Sequence, residues 1–115
     1  MENQEMAAKI YEAIQDGYYE YYGIRIDDDI EYSEGDKTED SRIWVDGDPT
    51  DETLDGTSSI GIDHTDTADE IEAKIEQAKN YYGNKMYLIA GNSVSYGEDA
   101  GEYVISNAVV VKVLK

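Results

Sequence analysis

The chain of 115 residues contains no cysteine and no phenylalanine, one proline, one histidine and one tryptophan. Without cysteine there are no disulfides, no thiolate nucleophile and no cysteine-based zinc site. A single histidine excludes any two-histidine catalytic or metal motif. Apolar runs are short: stretches such as Ala108–Val111 fall far below the roughly 20 residues that span a bilayer, so no transmembrane helix is expected. The opening MENQEMAAKI has neither a basic start nor an apolar core, and does not read as a secretory signal. Positive charge is also scarce. Nine lysines and arginines face 27 aspartates and glutamates, for a net charge of −18. With 40% hydrophobic residues, one modest core is affordable, and residues 1–115 are expected to form one domain.

The hydrophobic pattern predicts two helices and several short strands. Ala7, Ile10, Ile14, Tyr18 and Tyr21 recur at helical steps over 2–22, opposite Glu2, Glu5, Glu12, Asp16 and Glu20. Gly17 interrupts this pattern, so a helix ending near Asp16, with Tyr18–Tyr22 extended, is the competing reading. Alternation predicts a strand over about 24–32. Short β-rich runs follow at Ile43–Val45 and Ser59–Ile62, separated by polar, turn-rich residues 33–40 and 46–57. Thr67-Ala68-Asp69-Glu70 fits a capping box, followed by the stripe Ile71, Ile75, Ala78, Tyr82 and a stop at Gly83. Met86–Ala90 and Tyr103–Leu114 predict two strands joined by a polar segment, with Asn107 marking a bulge or turn. The expected fold is α+β: an antiparallel sheet of about four to five strands with two helices packed on one face.

Charge is distributed unevenly. Between Asp27 and Asp55, 13 acidic residues meet only Lys37 and Arg42, which gives −11 over 29 residues and leaves −7 for the other 86. Such crowding costs stability through self-repulsion. It also repels nucleic acid and anionic lipid, so neither is expected as a direct partner. Basic, nucleic-acid-binding proteins are the surfaces it attracts. Carboxylates at alternate strand positions lie about 6–7 Å apart and helical neighbours about 5–6 Å, spacings that can stand in for neighbouring phosphates. Asp27, Asp29 and Glu31 alternate in this way, and Glu12, Asp16 and Glu20 predict a helical row. The expected phosphate substitutes are Asp27, Asp28, Asp29 and Glu31, then Glu34, Asp36, Glu39 and Asp40. A second row comprises Asp46, Asp48, Asp51, Glu52 and Asp55.

Eleven tyrosines are the other excess. Doublets at Tyr18–Tyr19, Tyr21–Tyr22 and Tyr81–Tyr82 cannot all turn inward from one helix, so some rings are expected at the surface. Tyrosine is enriched at the energetic centres of interfaces. Tyr19, Tyr22, Tyr32 and Tyr96 are the expected exposed contact rings.

In size, charge and lack of cysteine the whole chain resembles the small acidic DNA-mimic inhibitors of bacteriophages and mobile elements, including anti-CRISPR and anti-restriction proteins. No motif defines that group, so no residue-level correspondence carries over. The resemblance implies a stoichiometric inhibitor acting in the bacterial cytoplasm. It would block the nucleic-acid site of a defence nuclease, an RNA-guided CRISPR effector first and a restriction enzyme second. No cofactor is expected.

Chemistry finds little support. Asp46–Thr57 departs from a calcium-binding EF-hand loop, with Asp51 where glycine is needed and Thr57 where a bidentate glutamate belongs. His64 reads as a solvated loop residue, and Ser58 and Ser59 lack a nucleophile-elbow pattern. The glycine-bearing segment 91–99 has no P-loop lysine. The protein is therefore expected not to be an enzyme. A calcium-binding module and an acidic phage accessory protein without mimicry are the alternatives.

Overall fold

Thr67 and Glu70 close the second helix at its start by reciprocal hydrogen bonds. The Glu70 amide donates to Thr67 Oγ1 and the Thr67 amide to Glu70 Oε1, both at 3.2 Å. The expected capping box is therefore formed, and α2 runs Ala68–Lys79. A computed structural model describes residues 2–27, 31–38, 41–44, 58–79, 85–96, 102–105 and 107–114. Tyr82 and Gly83 lie outside these residues. Losing an N-cap hydroxyl costs about 1 kcal/mol, so Thr67→Ala is expected to lower the unfolding free energy by about that amount in a urea titration.

The first helix, α1, spans Asn3–Gln15. It ends because Gly17 adopts φ +70°, a left-handed conformation that glycine takes without steric cost. The Gly17 amide donates to the Ile14 carbonyl at 3.1 Å. The reading that ends the helix near Asp16 thus prevails over a helix to residue 22, although only Tyr21 and Tyr22 of the segment expected to be extended lie in a strand. Glu20 lies beyond the helix, and the predicted row Glu12–Asp16–Glu20 does not form. Met6, Ala7, Ile10, Ala13 and Ile14 make the buried face of α1; Ile71, Ile75 and Ala78 make that of α2.

Seven strands follow: β1 Tyr21–Asp27, β2 Ser41–Trp44, β3 Ser58–Ile62, β4 Lys85–Gly91, β5 Val94–Tyr96, β6 Glu102–Ile105 and β7 Val109–Val113. The α+β class holds. The sheet is larger than the four to five strands expected, and one of its pairs, β2 with β3, is parallel. β1 ends at Asp27 and Glu31 and Tyr32 lie outside any strand, so a continuous strand to residue 32 is not formed. β5 falls in the segment expected to be a polar connection.

The hydrogen-bonded order is β5-β6-β2-β3-β1-β4-β7. In a flat sheet β4 and β5 would stand about 24 Å apart. Only Asn92 and Ser93 join them, a reach of about 11 Å at full stretch. The sheet must therefore curl until its edges meet. Pairing register shows how. β4–β5 and β6–β7 are the two arms of one bent hairpin, in constant register from Ile89↔Val110 through Val94↔Ile105 to Tyr96↔Tyr103. One irregularity falls between Leu88 and Ile89. Asn107, at φ 56°, sits at the bend between β6 and β7, a conformation asparagine tolerates better than most residues. Lys37↔Val109 continues the register of β2 against β6, Ser41↔Ile105 to Trp44↔Glu102. The ladders thus close into a small barrel whose five staves are β1, β3, the β2 segment and the two hairpin arms.

Closure gives two cores. Outside the barrel wall, the helices cover Tyr22, Ile24, Ile26, Ile60, Ile62, Met86 and Leu88. Inside it, Tyr87, Ile89, Ile105, Ala108 and Val110 pack together, with Tyr21 and Tyr32 against them. Strand alternation sends neighbouring residues to opposite cores, so the Tyr21–Tyr22 doublet serves both. Arg25 belongs to the inner set of β1, at 1% exposure, with its guanidinium 5.6 Å from the centre of the Tyr32 ring. On the outer side Lys74 of α2 donates to Gly61 O at 2.9 Å and to the buried Asp66 carboxylate at 2.6 Å, tying α2 to β3.

Candidate partner-binding surface

Residues 31–38 run from the barrel interior to its wall and carry the described part of the acidic segment. The Tyr32 amide donates to Tyr87 Oη at 3.0 Å, and the two rings meet edge-on at 5.3 Å. Beyond Tyr32 the chain turns, with Gly35 at φ +90°. The Gly35 amide then donates to Val110 O, the Val110 amide to Asp36 O and the Thr38 amide to Ala108 O, each at 2.8 Å. This places Glu34 and Asp36 along the β7 side of the barrel and Glu31 beside Lys85 at the start of β4, all three exposed. Asp36 is not only a surface charge: its carboxylate accepts the Ser33 amide at 2.7 Å and fastens the turn. Lys85 approaches Glu31 at 4.0 Å and Lys112 approaches Glu34 at 3.9 Å. Exposed pairs at such distances neutralise little.

Of the other expected phosphate substitutes, Asp27 closes β1 by its backbone. Asp28, Asp29, Glu39 and Asp40 lie outside the described residues, as do Asp46, Asp48, Asp51, Glu52 and Asp55. The acid-rich stretch itself supplies the β2 stave, and the strands that flank it in sequence, β1 and β3, pair with Arg25 opposite Ser59. Exposed carboxylates also occupy the helix layer, at Glu5, Glu12 and Asp16 on α1 and at Asp69, Glu70 and Glu76 on α2. Negative charge in the described residues is therefore shared between the barrel flank and the helices.

The aromatic expectations need revision. Tyr22, expected at the surface, is 1% exposed; its hydroxyl donates to Ala13 O at 3.3 Å. Tyr19 is half-buried and meets Tyr22 edge-on at 6.2 Å. Tyr32 is half-buried against Tyr87, and the backbone of Tyr96 lies in β5. Tyr22 and Tyr19 pack in the outer, helix-covered core, and Tyr32 packs against the inner one. The most exposed ring missed among the described residues is Tyr18, at 80%. Its signal was Gly17, which removes it from the helical stripe to which periodicity assigned it.

Tyr18, Tyr19 and Tyr22 line a cleft of about 300 Å³ between the end of α1 and β7. Glu12 and Asp16 border it on the helix side and Lys112 on the strand side. Lys112 also approaches Glu34, at 3.9 Å, so the cleft adjoins the acidic flank. His64 closes the far side of Tyr22, edge-on at 5.6 Å, and its Nε2 donates to Glu20 O at 2.7 Å.

Burial raises the pKa of Tyr22 above its ordinary value of 10.0, against a smaller opposing effect of a hydrogen bond at Tyr19. A proton held more tightly in the folded chain favours folding until the unfolded tyrosine begins to ionise. The contribution is therefore complete below about pH 10 and declines as pH rises through the folded value. Tyr22→Phe is expected to lose stability less steeply than the parent above pH 10, read from urea midpoints across that range.

Among the described residues no group of three or more histidines or carboxylates is placed to share a metal ion. No helix among them is long and apolar enough to cross a membrane. Set against known protein families, curated proteins and solved structures, the chain shows no significant match.

Proposed function

We propose that this protein is a stoichiometric inhibitor that presents carboxylates in place of a polynucleotide backbone and occupies the nucleic-acid site of a basic partner. The observation that carries this reading is the concentration of −11 within residues 27–55, a stretch that supplies the β2 stave and is flanked in sequence by the paired strands β1 and β3. Glu31, Glu34 and Asp36 are exposed on its described part. Duplex DNA carries one charge per ~1.7 Å of axis, and a cleft built to follow such a row is open to a dense anionic surface. The field draws the partner in; neighbouring aromatic side chains hold it. The partner class is a nucleic-acid-handling defence enzyme in the bacterial cytoplasm, an RNA-guided CRISPR effector before a restriction enzyme. No catalytic step and no cofactor belong to this reading.

A competition assay tests it. An RNA-guided effector is loaded with labelled target DNA and titrated with the protein at several salt concentrations. Stoichiometric release of DNA, weakening as salt rises, is the expected outcome. Undisturbed DNA binding by both the effector and a restriction enzyme would reject the proposal for these partners.

A further inference from the structure

We infer that the tyrosine cleft at the end of α1 is a receptor for an arginine side chain of a protein partner, an anchoring role that rests on the inhibitor reading above. At about 300 Å³ the cleft lies at the lower limit of small-molecule sites and suits one or two side chains. Its chemistry selects a cation. Glu12 and Asp16 stand on its helix side, and the last turn of α1 contains no basic residue. The partial negative charge of that helix end is therefore not offset from within its last turn. Lys9 and Lys112 also border the cleft, so its charged side chains balance, and the helix end together with the tyrosine faces tips the preference towards a cation.

Aromatic walls narrow the choice between cations. A guanidinium is planar and weakly hydrated; it stacks on a tyrosine face and meets a carboxylate through two parallel hydrogen bonds. An ammonium is compact and strongly hydrated, and gains less from the same walls. Tyr18, at 80% exposure, is free of the core and available as a lid. Ala13 and Val111 supply apolar contact for the methylene stem. Basic nucleic-acid clefts are lined with arginines, so one of them can enter here while neighbouring charges face Glu31 and Glu34.

The test is an amide-shift titration of the full chain with acetyl-Gly-Arg-Gly-amide, its lysine counterpart and inorganic phosphate. The arginine peptide is expected to shift the amides of Ala13, Asp16, Tyr18 and Val111, and to bind at least about fivefold more tightly than the lysine peptide. Tyr18→Ala should weaken it about fivefold, and Glu12→Gln combined with Asp16→Asn about tenfold. Equal response to both cations overturns the proposal. So do phosphate-induced shifts at the same amides, which would make the cleft an anion site. Concentration-dependent shifts of the protein alone, marking a second copy as the occupant, overturn it as well. Tyr18→Ala that still displaces DNA at the parent's potency removes the cleft from partner binding while leaving the acidic decoy standing.

Discussion

A chain carrying Asp27→Asn, Asp28→Asn, Asp29→Asn, Glu31→Gln and Glu34→Gln is expected to bind its basic partner about ten- to a hundredfold more weakly and to unfold at higher urea. Five substitutions take the net charge from −18 to −13. Electrostatic steering supplies up to about 10³ in association rate, so most of the loss should appear there and shrink as salt is added. The stability gain has the same origin: like charges crowded into one quarter of the chain repel, and removing some relieves the folded state. Asp36 is kept because its carboxylate holds the Ser33 amide; substituting it would mix turn damage with loss of charge. Stopped-flow association and urea titration on the same protein read the two effects. If acidity served hydration alone, urea midpoints would move and association would not.

Leu88→Ala and Ile89→Ala are each expected to cost about 2–5 kcal/mol, a large share of the 5–15 kcal/mol that holds a domain folded. Both residues have 0% exposure, yet they point to opposite faces of β4. Leu88 lies beneath the helices and Ile89 inside the barrel. An open sheet with helices on one face would leave Ile89 towards solvent and its truncation nearly neutral. Comparable losses from the two variants, measured by urea titration, are therefore the signature of closure. A near-neutral Ile89→Ala with a costly Leu88→Ala would contradict it.

Local chemistry was readable from the residues. The Thr67–Glu70 box, the stripe of Ile71, Ile75 and Ala78, the run Met86–Ala90 and the interruption at Asn107 each depend on neighbours within a few positions. Gly17 was visible as a fault in the first helix, and only its backbone angle decides between the two readings. What escaped is non-local. Closure rests on register between residues 37–44 and 102–109, and no pattern within either segment reports the other. The burial of Arg25 follows from that closure, which covers the inner face, and the burial of Tyr22 from the helices laid over the outer one. Val94–Tyr96 looked like a loop because glycine and polar residues surround it; pairing with β6 makes it a strand. The concentration of carboxylate was visible in composition, whereas the cleft beside it required Gly17 to turn Tyr18 and Tyr19 towards β7.

The bent hairpin also sets a schedule for folding. β7 lies far along the chain, yet it completes the ring by joining β4 to the segment around Lys37. A nascent chain halted after Ile105 would expose the β7-facing edge of β4, an unpaired row of amides and carbonyls open to any passing strand. Assembly of the ring therefore cannot precede synthesis of Val109–Val113, whatever the helices have already formed.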